Sequence, residues 1–107
     1  MANYFYRLPT DLVDALDNVS DPDTARAQVI ATAIGRAHED IGLLGPALVH
    51  RAMTAPWKGP TKVFSVSMTD AVHDQLETMA KALDVTDILV LRLCMENEVR
   101  LRTCCRK

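Results

Sequence analysis

In two short stretches of the chain, residues 3–8 and 63–68, every second residue is apolar and these residues would lie on one face of an extended chain. The positions that share one face are Tyr4, Tyr6 and Leu8 in the first stretch and Phe64, Val66 and Met68 in the second. A period of two, combined with β-branched and aromatic residues, predicts one β-strand in each stretch.

Each predicted strand is followed by two stretches in which apolar residues recur at helical spacing. Residues 10–19 predict a short first helix. The second helix ends near Gly42 and has its apolar face at Val29, Ile30, Ala33, Ile34, Ala37 and Ile41. Thr69 and Asp70 supply N-cap chemistry for a third helix of three to four turns. Thr86 caps a fourth helix, which is apolar and buried and carries Ile88, Leu89, Leu91, Leu93, Met95 and Val99.

The order strand-helix-helix therefore occurs twice, at residues 3–41 and 62–102, within a single compact domain of 1–107. A connector at 42–61 is marked by glycine and proline residues. Its residues 46–53 could form a short helix, and Trp57 is expected to hold it against the core. Residues 103–107 form a basic tail.

Composition indicates an ordinary globular chain of 107 residues with 49% hydrophobic and 5% aromatic content, which predicts an aliphatic core. No apolar run approaches the roughly 20 residues that span a bilayer, and the N-terminus lacks the pattern of a signal peptide. The three cysteines are Cys94, Cys104 and Cys105. An odd number with two adjacent does not suggest a disulfide framework, so a reduced, cytoplasmic location is expected, with Cys94 in the core.

Candidate chemistry is sparse. His38, His50 and His73 lie apart in the sequence and are expected to have no acidic or cysteine partner at ligand spacing, so no metal site is expected. No glycine-rich phosphate loop, nucleophile elbow or paired-carboxylate constellation occurs. The sequence therefore predicts a protein that is not an enzyme and has no cofactor.

The repeated strand-helix-helix order resembles the ribbon-helix-helix family of DNA-binding proteins, the family of the Arc and methionine repressors. The resemblance implies a mainly α fold with a small two-stranded antiparallel β-ribbon that enters the major groove of DNA. The family often has glycine in the turn between its two helices, whereas Asp84 occupies that place here.

In that family two chains each supply one strand, whereas here a single chain has both. Strand 3–8 is expected to pair antiparallel with strand 62–68, which makes a single-chain pseudodimer able to read a non-palindromic sequence. This layout is similar to the ribbon-helix-helix domain of the virulence protein that aids T-DNA transfer, and to tandem regulators from viruses and plasmids. The alternative assembly is a homodimer of the chain.

The resemblance implies which residues would contact DNA. The base-reading residues of the ribbon are Asn3, Phe5, Arg7, Val63, Ser65 and Ser67, and Lys62 at the strand edge would add a second positive charge. Arg7 can pair with guanine and Asn3 with adenine. Phosphate contacts are expected near Thr24 and Thr86, where helices begin. Asp21, Asp23 and Asp87 crowd these same helix starts and would repel a phosphate.

Two functions follow from these observations. The first is sequence-specific binding of double-stranded DNA, as a transcriptional regulator or as an accessory factor in plasmid DNA transfer (conjugation) or maintenance. The second is a protein-interaction module that kept the fold without DNA binding, such as an antitoxin-like protein or a phage-encoded inhibitor. The acidic helix starts, the low charge of the ribbon and Phe5 favour the second, whereas the repeated fold and Arg7 favour the first. A four-helix protein without a ribbon would require both strand predictions to fail.

Overall fold

The computed structural model describes residues 2–20, 23–40 and 60–104 of the chain. Within these residues, two strands and four helices follow one another in the order strand-helix-helix, strand-helix-helix. The elements are β1 (Ala2–Pro9), α1 (Thr10–Val19), α2 (Arg26–Glu39), β2 (Thr61–Met68), α3 (Asp70–Leu83) and α4 (Asp87–Cys104).

Strands β1 and β2 form a two-stranded antiparallel ribbon. Ala2 lies opposite Met68 at one end, Phe5 lies opposite Ser65 at the centre, and Pro9 lies opposite Thr61 at the other end. Successive side chains of a strand point to opposite faces. One face therefore packs on the helices, and its buried side chains are Tyr6, Leu8, Val66 and Met68.

Local capping explains where helix α3 begins and ends. The Thr69 hydroxyl accepts a hydrogen bond from the Val72 amide at 3.2 Å, which caps α3. Helix α3 ends at Asp84, whose φ of 57° and ψ of 48° are left-handed. The amide of Val85 then bonds back to the carbonyl of Ala80 at 3.0 Å, a pattern that closes a helix C-terminus.

Helix α4 is the centre of the core because it contacts the other three helices and strand β1. Its buried residues lie on more than one face, as expected for a helix surrounded by neighbours. They are Val90, Leu91, Leu93, Cys94, Met95, Asn97 and Glu98. Helix α1 packs on α4, and α2 packs on both α3 and α4, so both helices of the first half contact helices of the second half.

A buried carboxylate joins α2 to α4. Glu98 is 1% exposed, and it accepts hydrogen bonds from Arg36 Nε at 3.0 Å and from Arg102 Nε at 2.7 Å. Two arginines on one buried carboxylate satisfy both of its oxygens, which is the condition for burying a charge. This contact fixes the position of α2 on α4.

The prediction of a mainly helical chain with a small two-stranded antiparallel ribbon is confirmed, and a four-helix protein without a ribbon is excluded. Cys94 lies in the core as expected, whereas Ile88 is exposed rather than buried. The second helix ends at Glu39. The predictions for Asp21, His50, Trp57, Cys105 and most of the connector concern residues outside the described ranges. No helix in the described ranges has the length and apolarity to cross a membrane.

Candidate nucleic-acid interface

The outward face of the ribbon is the face that does not pack on the helices. It presents the residues whose side chains alternate with the buried ones, in three directly opposed pairs. The pairs are Asn3 with Ser67, Phe5 with Ser65, and Arg7 with Val63. All of these residues are exposed except Ser67, which is half-buried. The structure thus brings together on one surface the six predicted base-reading residues.

Hydrogen bonds distinguish the two ends of this face. At one end, the Ser67 hydroxyl donates to Asn3 Oδ1 at 2.6 Å, so the amide group of Asn3 is left to present its N–H donors. At the other end, Arg7 Nη1 donates to the Thr61 hydroxyl at 3.3 Å. The remaining N–H groups of the Arg7 fork can still form a paired contact with a base or a phosphate.

Lys62 lies on the other side of the ribbon. It is directly opposite Leu8, whose side chain is buried against the helices. The second positive charge expected on the outward face is therefore displaced to the exposed edge of the helix-facing side. Arg7 alone carries a formal charge among the three outward pairs.

A groove of about 290 Å³ opens beside Arg7, between the end of the ribbon and the start of α4. The residues that line it are Arg7, Leu8, Pro9, Thr61, Thr86, Ile88, Leu89 and Arg92. Two arginines from different elements therefore border one groove, and such a groove attracts a phosphate or carboxylate.

Arg92 is the residue of this groove that the sequence did not single out. Its Nε is buried and forms no hydrogen bond within the described structure. The nearest acid is Glu96, whose carboxylate oxygen lies 3.6 Å from Nε, an ion-pair distance that is too long for a hydrogen bond. The signal that could have found Arg92 is helical spacing, because Ile88, Leu89 and Arg92 lie on one face of α4.

The start of α4 offers fewer free backbone amides to a phosphate than the sequence predicted. The Thr86 hydroxyl accepts from the Leu89 amide at 3.3 Å, and Asp87 Oδ1 accepts from the Ile88 amide at 2.9 Å. These two amides of α4 are thus engaged by the chain's own side chains. In this groove an anion would have to rely chiefly on Arg7 and Arg92.

Thr24 is not the cap of α2. The residue before the first turn is Ala25, which has no side-chain oxygen, and α2 begins at Arg26. Arg26 donates to both carboxylate oxygens of Asp17, at 3.0 Å and 2.6 Å, and this hydrogen bonding raises the pKa of its guanidinium. Its guanidinium carbon also lies 5.6 Å from the centroid of the Phe64 ring. The cation at this helix start is therefore already paired.

Large apolar side chains are also exposed on this surface. In the described ranges they are Phe5 at 68%, Val63 at 50% and Ile88 at 42% exposure. Phe5 and Val63 belong to the outward face, and Ile88 lines the groove. Apolar contact can be made with thymine methyl groups or with a protein partner, so these residues are compatible with either class of ligand.

The expectation that no histidine has an acidic partner is wrong for His73. Its Nε2 lies 3.5 Å from a carboxylate oxygen of Glu77, and Asp74 belongs to the same cluster. The error is one of spacing, because residues i and i+4 are neighbours on a helix.

No protein-family model matches this chain, and comparisons with curated proteins and with solved structures also give no match.

Proposed function

We propose that the chain is a sequence-specific double-stranded DNA-binding protein that inserts the β1–β2 ribbon into the major groove. The observation that carries this proposal is the outward face, with its three opposed pairs beside a groove bordered by Arg7 and Arg92. The major groove is about 12 Å wide and admits a two-stranded ribbon. Arg7 and Asn3 would read base edges, and Arg92 would contact a backbone phosphate.

The same proposal includes the arrangement of two strand-helix-helix units as a ribbon-helix-helix pseudodimer. The strand register supports it, because residues 2–6 and Leu8 have the same burial as the residues 60 positions later in β2. Helix α4 begins 61 residues after α2, and every buried residue of α2 has a buried residue of α4 as its counterpart 61 positions later. The buried pairs are Tyr6 with Val66, Leu8 with Met68, Leu16 with Leu76, Ile30 with Leu91, and Ile34 with Met95.

Under this arrangement the two ends of the ribbon differ in charge. The counterpart of Arg7 is Ser67, 60 residues later, and the counterpart of Arg92 is Ala31, 61 residues earlier. One end therefore has two arginines and the other has neither. We infer that the DNA target is non-palindromic, with the stronger contacts on the half bound by Arg7 and Arg92. Transcriptional regulation, or an accessory role in plasmid transfer or maintenance, suits such a protein.

The test uses DNA selected from a random library by the purified chain. Arg7→Ala should weaken binding to the selected DNA by about 1–3 kcal/mol, roughly 5- to 150-fold, because a bidentate base contact is lost. Ser65→Ala with Ser67→Ala should relax base preference with little loss of stability, because these side chains point away from the core. Fluorescence anisotropy gives the affinities, and circular dichroism checks the fold.

A matched control separates a ribbon contact from a general effect of charge. Arg100→Ala removes the same charge on α4, eight residues beyond Arg92, or about 12 Å along the helix axis. It should leave affinity within about twofold of the original protein at moderate salt, because charges separated by more than about 10 Å are screened. Equal losses for Arg7→Ala and Arg100→Ala would contradict the ribbon interface.

A second candidate function is binding of a protein partner through the same face. The exposure of Phe5, Val63 and Ile88 favours it, since aromatic and aliphatic anchors dominate protein interfaces. An antitoxin-like protein or a phage-encoded inhibitor would use such a surface. Under this hypothesis the library selection enriches no DNA, and Phe5→Ala abolishes cross-linking to the partner while Arg7→Ala has a small effect.

A further inference from the structure

Three side chains of metal-ligand type converge on the first turns of α3. They are His73, Asp74 and Glu77, and their ligand atoms all lie within 4.8 Å of one another. His73 Nε2 lies 3.5 Å from a carboxylate oxygen of Glu77. Glu77 lies four residues after His73 and three after Asp74, and both spacings place side chains on the same side of a helix, so the sequence HDxxE (residues 73–77) produces this cluster.

The imidazole of His73 is held in place by a residue from the other half of the chain. Its ring stacks on the ring of Tyr4 from β1, with centroids 4.1 Å apart and planes inclined by only 7°. The side chain is mostly buried, while the carboxylates of Asp74 and Glu77 remain accessible. A fixed ring with Nε2 directed at a carboxylate loses little further conformational freedom when it binds a ligand.

We propose that His73, Asp74 and Glu77 bind a divalent transition-metal ion of the Zn²⁺ class. Zn²⁺ binds imidazole nitrogen and carboxylate oxygen at about 2.0–2.2 Å, so two ligand atoms on a tetrahedral ion lie about 3.4 Å apart. The separation of Nε2 from the Glu77 oxygen already meets this distance. The ligand oxygen of Asp74 lies within 4.8 Å of both of these atoms.

The donor set selects the class of ion. An imidazole nitrogen disfavours Mg²⁺ and Ca²⁺, which take oxygen ligands, and two carboxylates disfavour the softer Cu⁺. Three protein ligands leave a fourth position for water or for an external ligand. Because Tyr4 lies on β1 and the ligands lie on α3, the bound ion stabilises the packing of the ribbon on that helix.

The alternative to a metal site is an ordinary side-chain contact between His73 and Glu77 across one helical turn. The two differ in a measurable way, because only a metal site makes the environment of His73 Nε2 depend on added Zn²⁺. Zn²⁺ is titrated into the full-length ¹⁵N-labelled chain under reducing conditions at pH 7.5. Long-range proton–nitrogen correlation spectra then report Nε2 of His73 directly, whatever the ion does at the cysteines.

The proposal predicts a saturable shift of the His73 Nε2 resonance and a higher melting temperature with Zn²⁺. Glu77→Gln should weaken binding at this site at least about tenfold, by analogy with the 10- to 100-fold losses seen when groups supporting a metal are removed. His38→Gln, on α2, serves as the control and should leave the affinity unchanged. Glu77 is accessible, so its variant keeps the fold even where His73→Gln, which removes the Tyr4 stack, does not.

Two results would overturn the proposal. One is a His73 Nε2 resonance that stays unmoved in excess Zn²⁺. The other is a Glu77→Gln variant, with a native circular dichroism spectrum, whose His73 resonance shifts with the affinity of the original chain. Either result leaves His73 and Glu77 as an ion pair of the helix surface and does not bear on DNA binding.

Discussion

The buried carboxylate of Glu98 gives the sharpest prediction about stability. It accepts charge-assisted hydrogen bonds from Arg36 at 3.0 Å and from Arg102 at 2.7 Å. Hydrogen bonds to charged groups contribute about 1.5–3 kcal/mol each. Glu98→Gln keeps the shape and one acceptor but removes the charge. We therefore expect the free energy of unfolding to fall by about 1–3 kcal/mol, less than the sum of both bonds.

The exposure of the arginines limits this loss. The side chains of Arg36 and Arg102 are 47% and 29% exposed, so their guanidinium groups can be hydrated after the substitution. The cost should therefore stay below the 3–5 kcal/mol seen when a fully buried charge is left unpaired. Urea denaturation followed by circular dichroism measures it. The midpoint should fall by about 1–2 M for a domain of this size.

Glu96 supplies the control on the same helix. It is half-exposed and pairs with Arg92 across one turn at 3.6 Å, so Glu96→Gln should cost no more than about 0.5 kcal/mol. A double substitution of Arg36→Ala with Glu98→Gln should cost less than the sum of the single changes, because the two groups interact. A cost for Glu98→Gln as small as that for Glu96→Gln would refute the reasoning.

Three further predictions concern single side chains. Burial, and next the charge of Asp87, raises the pKa of Tyr6 to about 12. In the unfolded chain the Tyr6 hydroxyl ionises near pH 10. The contribution of Tyr6 to the free energy of unfolding is therefore lost as the pH rises from about 10 to 12. Tyr6→Phe should remove that loss in urea denaturation, and an unchanged slope would contradict the burial of this hydroxyl. Asp84→Gly should be more stable than Asp84→Ala by about 1 kcal/mol, because alanine strains the left-handed backbone; equal midpoints would contradict this. Burial raises the pKa of Cys94 to about 12, so mass spectrometry should find it alkylated only in denaturant, and labelling of the native chain would contradict its burial.

The alternation of apolar residues was sufficient to predict both strands, but not their full length. Pro9 and Thr61 join the ribbon because each has a partner residue opposite it, which local propensity does not record. Ile88 was misplaced for a different reason. Helix α4 is apolar on most of its circumference, so periodicity does not show which residue of its first turn faces solvent.

The candidate site was predictable where it depends on strand alternation and less so where it depends on packing. Asn3, Phe5 and Arg7 share a face by period two alone. The approach of Arg92 to Arg7 depends on how α4 packs on β1, elements about 80 residues apart along the chain. Glu98 finds Arg36 across 62 residues for the same reason. By contrast, the pairing of His73 with Glu77 is local and could have been predicted from i,i+4 spacing.

We propose that the outward face binds DNA while Arg92 contacts a backbone phosphate. The most direct test of this proposal is anisotropy binding of the purified chain to DNA from around its own gene, at a series of salt concentrations. We expect a specific complex whose log affinity falls linearly with log salt, with a slope of about −0.9 per phosphate contact. Arg92→Ala should reduce that slope by about 0.9 while leaving the preferred sequence unchanged. Negligible binding at low salt, or a slope that Arg92→Ala does not alter, would contradict it.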